Sequence, residues 1–393
     1  MHPRTRLLTQ LTQALFVDRF VGRLRLHDLV DAAVKRTALT DFGESDWQEP
    51  LAIMLHDYQH EARLHRLGQV VAWRLLTAQL ANRLRVVDAL RSKPVSKVDQ
   101  PIFILGLPRT GSTLLHETLA CHPLLRAPHF WECETLTQTS EQQRRHRNTT
   151  AGNVFLVNFL APDFQHIHPI GADRPHECIT LQAPTFRSMQ NHAIHRLPNY
   201  SRWLLTCDLQ PAYHWHAQYL GLLQNDARRW VLKAPAHLRG IEALAKQYPD
   251  AVFVQLHRQP QETLPSMASL YATLHSTSSR HVDKREIGQN IYTEWSTAIN
   301  TTLQARQQDD LNNRFIDVHY GDLVQDPLKT CDRILQFASV PRHDGDHAEM
   351  QAFLDQPRHQ HRKRHTYSLE EFGLDSQQVA EGFGQYLARH FST

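Results

Sequence analysis

Ile102-Phe-Ile-Leu-Gly-Leu-Pro-Arg-Thr-Gly-Ser-Thr-Leu-Leu-His-Glu-Thr-Leu119 is the stretch that decides the fold. Ile102 to Leu105 is an uninterrupted apolar run, as expected of a strand buried on both faces. Gly106 to Thr113 is a turn of small residues, after which Leu114, Leu115 and Leu119 resume with helical spacing. Strand, glycine-bounded loop and helix N-terminus together make an anion cradle, because backbone N–H groups and the positive end of the helix dipole converge on one point. Thr110, Ser112 and Thr113 line that turn with hydroxyls, and Arg109 adds a permanent cation. Gly106 and Gly111 keep the spacing of a Walker phosphate loop, but Ser112 stands where that motif has lysine. The cation has moved to Arg109, which offers an oxyanion a planar fork rather than a point charge.

Three further apolar runs repeat the theme. Trp230-Val-Leu-Lys233 is a short strand that delivers a lysine at its carboxyl end, the edge of an open α/β sheet where ligands gather. Ala251-Val-Phe-Val-Gln-Leu256 is another, followed by His257-Arg258 and a helix from Pro260 to Tyr271. Arg258 at that strand end and Ser266 on the helix are a bidentate cation and a hydroxyl suited to a second anion. Phe315-Ile-Asp-Val-His-Tyr320 is a further strand, leading through Gly321–Pro327 into an amphipathic helix with Ile334 and Phe337 on its apolar side. Alternating strands and helices predict an α/β fold with a mostly parallel, P-loop-like sheet flanked by helices.

Pro108-Arg-Thr-Gly-Ser-Thr113 resembles the 5′-phosphosulfate loop of sulfotransferases that use 3′-phosphoadenosine 5′-phosphosulfate (PAPS), in the form found in bacterial members and tyrosylprotein sulfotransferases. The Arg258/Ser266 spacing matches that family's 3′-phosphate site, and Lys233-Ala-Pro235 resembles the Lys-Asp/Ser-Pro element whose lysine meets the bridging oxygen. The resemblance spans most of residues 100–393 and rests on three ordered sites. It implies a PAPS-dependent sulfotransferase that releases 3′,5′-adenosine bisphosphate (PAP) and needs no metal. Arg109, Thr110, Gly111, Ser112, Thr113, Arg258 and Ser266 would bind the nucleotide, and Arg109 and Lys233 would act in catalysis. Pro235 replaces the histidine base of the cytosolic branch, so the base is expected elsewhere. Glu132, in Arg126-Ala-Pro-His-Phe-Trp-Glu-Cys-Glu134, is the favoured choice, against the reading that it is an N-capping or surface carboxylate. Glu134, His176 and His237 are the alternatives. The basic run His361–His365, before Ser368 and Glu371 spaced as a capping box, resembles segments that close over the nucleotide; it puts Arg364 near the 3′-phosphate.

Composition bounds the rest. A chain of 393 residues supports more than one small core, here read as a helical N-terminal region over 1–95 and an α/β domain over 100–393. In the former, Trp47, Leu51, Leu55 and Tyr58 form one apolar stripe and Leu64, Leu67, Val71 and Leu75 another. Phe42-Gly-Glu-Ser-Asp46 and the helices after it resemble the N-terminal part of bacterial family members. A net charge of +3 argues against nucleic acid as the partner. Five cysteines without Cys-x-x-Cys spacing fit a reducing compartment, and 27 scattered histidines lack zinc-site companions and are read as surface, hydrogen-bonding residues. No apolar segment approaches the length of a membrane span, so the expectation is a cytoplasmic bacterial enzyme acting on a small-molecule or glycolipid hydroxyl, with a homodimer left open. Two rivals stand beside it: a P-loop kinase or NTPase, and a nucleotide-binding protein without catalysis.

Overall fold

The computed structural model describes residues 24–160, 169–341, 345–356 and 367–391. Five strands, β1 (Ile102–Gly106), β2 (Leu125–Arg126), β3 (Arg229–Lys233), β4 (Val252–His257) and β5 (Phe315–His319), form one sheet in the order β2-β3-β1-β4-β5. All four pairings are parallel. Alternate side chains of these runs enter two cores. Phe103, Leu105, Trp230, Leu232, Phe253 and Phe315 face one, while Ile102, Ile104, Val231, Val254, Leu256 and Val318 face the other. Both faces are thus covered by helices, which is why the strands read as continuous apolar runs rather than alternating ones.

Among the described residues three α-helices precede the sheet: α1 (Leu26–Thr37), α2 (Gln48–His60) and α3 (Arg66–Ser92). Trp47, Leu51, Leu55 and Tyr58 are all buried, as the first stripe requires. The second stripe is out of phase. Leu67, Val71 and Leu75 are only partly buried, and the inward face of α3 is instead Gly68, Ala72, Leu76 and Leu80. The cause is backbone contact: a Cβ on Gly68 would lie 2.1 Å from the Ser278 carbonyl oxygen. The smallest residues must face that contact, and the leucines turn aside. The side chains of these helices share one apolar core with one face of the sheet.

The register sets the height of each strand end. Ile104 pairs with Lys233, and Gly106 pairs with Leu256. Lys233 therefore ends β3 beside the rising loop, while Arg258 follows just beyond the end of β4. Gly106 is fixed by the same packing, since a Cβ there would sit 2.4 Å from the Leu256 carbonyl oxygen. Beyond the sheet, Pro327–Phe337 is helical with Ile334 buried, but Phe337 is exposed. Ser368 Oγ accepts from the Glu371 N–H, although the capped element is a single 3₁₀ turn, Glu370–Phe372, stopped by Gly373 in the left-handed conformation.

The histidines divide: His27, His56, His60 and His214 are exposed as read, while others are buried though still hydrogen-bonded. His116, His195, His216 and His237 have no exposed surface. Burial pushes the imidazoles of His116, His195 and His237 down to about 3. Such a group is neutral in the folded chain but takes a proton when the chain unfolds below about pH 6.5, so stability is complete above that pH and falls as pH drops toward 3. Each buried histidine contributes up to roughly 1.4 kcal/mol per pH unit in that window. The thermal midpoint should hold above about pH 6.5 and fall steeply as pH drops from there toward about 4; a flat profile would contradict the buried neutral assignment.

Candidate active site

Residues 107–111 leave β1 and turn sharply into α4 (Ser112–Leu119), with Arg109 at φ +70° and Gly111 at φ +86°. Arginine in the left-handed region costs about 1–2 kcal/mol, so the loop must be held by its surroundings. Two contacts hold it. Thr110 Oγ1 donates to the Leu107 carbonyl at 2.8 Å, and Arg258 Nη1 donates to the Arg109 carbonyl at 2.9 Å. The first intrahelical bond runs from the Leu115 N–H to the Gly111 carbonyl, which leaves the earlier N–H groups of α4 pointing out of its N-terminus into the loop. Ser112 is buried in this turn, and Thr113 sits one residue further on.

Arg258, Ser266 and Arg109 meet at the loop. Arg109 Nε donates to Ser266 Oγ at 3.3 Å, on the helix Pro260–Ser276 that follows β4. The Arg258 guanidinium lies 4.2 Å from the Tyr320 ring centroid, and its Nε bonds the exposed Glu262. The two sequence motifs, one after β1 and one after β4, thus form a single cationic surface.

On the other side of the loop, Lys233 Nζ lies 3.5 Å from Thr113 Oγ1 and 2.5 Å from Glu177 Oε1. The lysine side chain is 3% exposed and that of Glu177 15%. Glu177 arrives on a segment anchored at several points. Arg174 forms a two-pronged pair with Glu117 of α4 at 2.7 and 2.8 Å, and His129 bridges Pro175 in antiparallel pairing. The Glu177 carboxylate is therefore the one brought to Lys233, and the sequence reading did not single it out.

The bases proposed from sequence are engaged elsewhere. Glu132 lies in the short helix α5 (Phe130–Glu134); it accepts from Arg126 Nη2 at 3.0 Å and from the His129 N–H at 2.8 Å, which completes a capping box. Glu134 accepts from Thr150 Oγ1 at 2.7 Å, and burial raises its carboxyl. His176 bonds Thr180 Oγ1 at 3.0 Å and stacks on Phe130. His237 sits in the core against Phe103, bonded to the Tyr213 hydroxyl at 3.0 Å. Arg364 lies outside the described residues.

The helices Pro198–Thr206, Pro260–Ser276 and Lys284–Ala305 line a cavity of about 210 Å³ whose walls include Leu197, Leu205, Tyr271 and Ile291 together with Arg196, Arg202 and Glu294. Burial pushes the Tyr271 phenol well up, with the charges of Glu294 and Glu177 adding and Arg239 opposing. Glu294 is paired in turn with Arg239 at 2.8 Å and His192 at 3.1 Å.

A parallel sheet whose strand ends gather an arginine-bearing anion loop, a second arginine with a serine, and a lysine–glutamate pair is the framework of a group-transfer enzyme acting on an oxyanion. A family model described as Sulfotransferase family matches residues 101–344. The solved sulfotransferase STF1 from Mycobacterium tuberculosis H37Rv superposes with a TM-score of 0.80 at 30% identity, over 92% of this chain and 98% of that one. Sulfotransferase STF9 from Mycobacterium avium shares the fold, with a TM-score of 0.83 at 24% identity over 94% and 97% of the two chains. The omega-hydroxy-beta-dihydromenaquinone-9 sulfotransferase Stf3 of Mycobacterium tuberculosis (strain CDC 1551 / Oshkosh) is 22% identical over 356 residues, 84% of this chain and 85% of its own. The chain belongs to the sulfotransferase family and is a sulfotransferase. Among the described residues no helix is long and apolar enough to cross a membrane, and all five cysteines are free thiols.

Truncating Lys233 to alanine deprives a largely buried carboxylate of its nearest cation, a change that costs roughly 3 kcal/mol at such a site. The melting temperature of Lys233→Ala should fall by several degrees, and adding Glu177→Gln should restore most of it. Unchanged melting in the single variant would mean that the pair does not hold this edge together.

Proposed function

We propose that the chain transfers a sulfuryl group from PAPS to an acceptor hydroxyl, with Glu177 as the general base. The observation that carries the reading is the Lys233–Glu177 pair, 2.5 Å apart beside the anion loop. The residues suit a donor with two separated anions. The loop N–H groups, Ser112, Thr113 and Arg109 would take the 5′-phosphosulfate, while Arg258 and Ser266 would take the 3′-phosphate.

In the reaction, the acceptor oxygen forms a bond to sulfur while the bond from sulfur to the 5′-phosphate oxygen breaks. Glu177 takes the acceptor proton, and the electron pair leaves on the phosphate as PAP. Lys233 and Arg109 neutralise the charge that builds on the bridging and equatorial oxygens. One such preorganised donor typically supplies about 3–4 kcal/mol. A bound donor would draw the Lys233 ammonium toward the bridging oxygen and leave the Glu177 carboxylate facing the acceptor. No metal is needed, because protein cations already occupy the positions where charge develops.

For the acceptor we propose a hydroxyl on a largely apolar molecule. The cavity between the helices offers an apolar wall of Leu197, Leu205, Ile287 and Ile291 beside Arg196, Arg202 and Glu294, and Stf3 is named for a hydroxylated menaquinone. A panel of hydroxylated isoprenoids, sterols and phenols, followed by PAP release from PAPS, tests the reading. Glu177→Gln should lower kcat by about 10²–10⁴-fold and remove the acidic limb of the pH–rate profile. Glu132→Gln should change melting more than turnover. Full activity in Glu177→Gln would contradict the assignment.

A further inference from the structure

Helix α6 (Ser140–Leu160) follows directly after α5 and ends in an unusual surface. Eight large apolar side chains are exposed among the described residues, and four of them, Phe155, Leu156, Val157 and Phe159, fall within one five-residue stretch of this helix. Phe155 is 74% exposed. Scattered exposed leucines need no explanation, but two phenylalanines, a leucine and a valine presented together do.

The rest of the helix has a matching polarity. Arg144 lies eleven positions before Phe155, and Arg145 eleven before Leu156. Eleven residues are three turns, within about 20° of the same side, so the two arginines share a side with Phe155, Leu156 and Phe159, while Val157 falls near Thr150. Both arginines are exposed, with Arg145 pairing only to the exposed Glu141 one turn earlier. The opposite side is anchored: Thr150 and Val154 are buried, and Thr150 bonds Glu134. Arg147 bonds Asp173 at 2.7 Å, four residues before Glu177. The exposed tip is therefore braced against the segment that carries the proposed base.

We propose that α6 docks the enzyme on an anionic lipid bilayer, its Phe155–Phe159 tip entering the headgroup–acyl boundary and Arg144 and Arg145 meeting lipid phosphates. The chemistry favours this occupant over a second copy of the chain. The apolar patch is small, rests on one helix end and lies along the helix from two exposed arginines, so acyl chains and lipid phosphates can be met by the same element. Basic residues at such a surface gain from the negative potential of anionic lipids. Docking here would place the Asp173–Glu177 segment close to the bilayer surface, where an apolar hydroxyl acceptor would reside. The docking proposal does not depend on the donor or base assignments.

Cosedimentation of the full chain with vesicles tests it. Wild type should bind phosphatidylcholine vesicles containing phosphatidylglycerol and bind pure phosphatidylcholine vesicles far less. Phe155→Asp with Phe159→Asp should abolish binding, and Arg144→Glu with Arg145→Glu should weaken it about tenfold or more. Both variants alter exposed side chains, so wild-type melting temperatures should accompany the loss. Absent binding by wild type, or binding untouched by the phenylalanine variant, would overturn the proposal. So would a wild-type dimer, seen by sedimentation velocity, that the phenylalanine variant converts to monomer without any vesicle binding.

Discussion

The hydrogen bond from the Arg258 guanidinium to the Arg109 carbonyl is the contact on which the site depends. Arg109 is held in a left-handed backbone conformation that a side-chain-bearing residue does not adopt unaided. Arg258 fixes that carbonyl from the end of the neighbouring strand, and so joins two loops that the sequence separates by 149 positions. The parallel register between β1 and β4 makes the reach feasible, because Gly106 and Leu256 end level with one another. One guanidinium then serves two ends: it shapes the loop after β1 and stays part of the cationic surface that the loop and β4 form together.

The opposite wall is built on charge pairing rather than backbone strain. Lys233 and Glu177 are both largely buried, so neither is stable there without a counter-ion. An ion pair of this kind contributes little net stability, but removing either partner leaves the other buried and uncompensated. The Arg174–Glu117 pair fixes the segment that brings Glu177 in, tying it to the helix that begins at the anion loop. Loop, lysine and carboxylate are thereby positioned from one element, α4, and a shift of that helix would move all three.

Most of the framework was legible because its signals are local. The apolar runs before Gly106, Lys233, His257 and Tyr320 became the strands β1, β3, β4 and β5, and the loop and Arg258/Ser266 motifs came together as their spacing implied. What the sequence hid is long-range. The Lys233–Glu177 contact joins residues 56 positions apart, and only the neighbouring His176 had drawn notice. Glu132 has the same spacing whether a carboxylate caps a short helix or faces a substrate, and only the structure shows that Arg126 and the His129 N–H bond its two oxygens. The phase of α3 was misjudged because periodicity cannot see the Ser278 backbone that demands Gly68. Histidine counts likewise say nothing of burial, which the packing around Phe103, Tyr213 and Tyr248 decides.

The central claim is that the two arginine motifs form one site for a donor with two anions, and calorimetry of nucleotide binding tests it most directly. PAP should bind far more tightly than AMP or ATP with Mg²⁺, and Arg258→Ala should erase most of the advantage conferred by the 3′-phosphate. Equal binding of PAP and AMP, or a preference for ATP with Mg²⁺, would contradict the account and point to a different nucleotide chemistry at this loop.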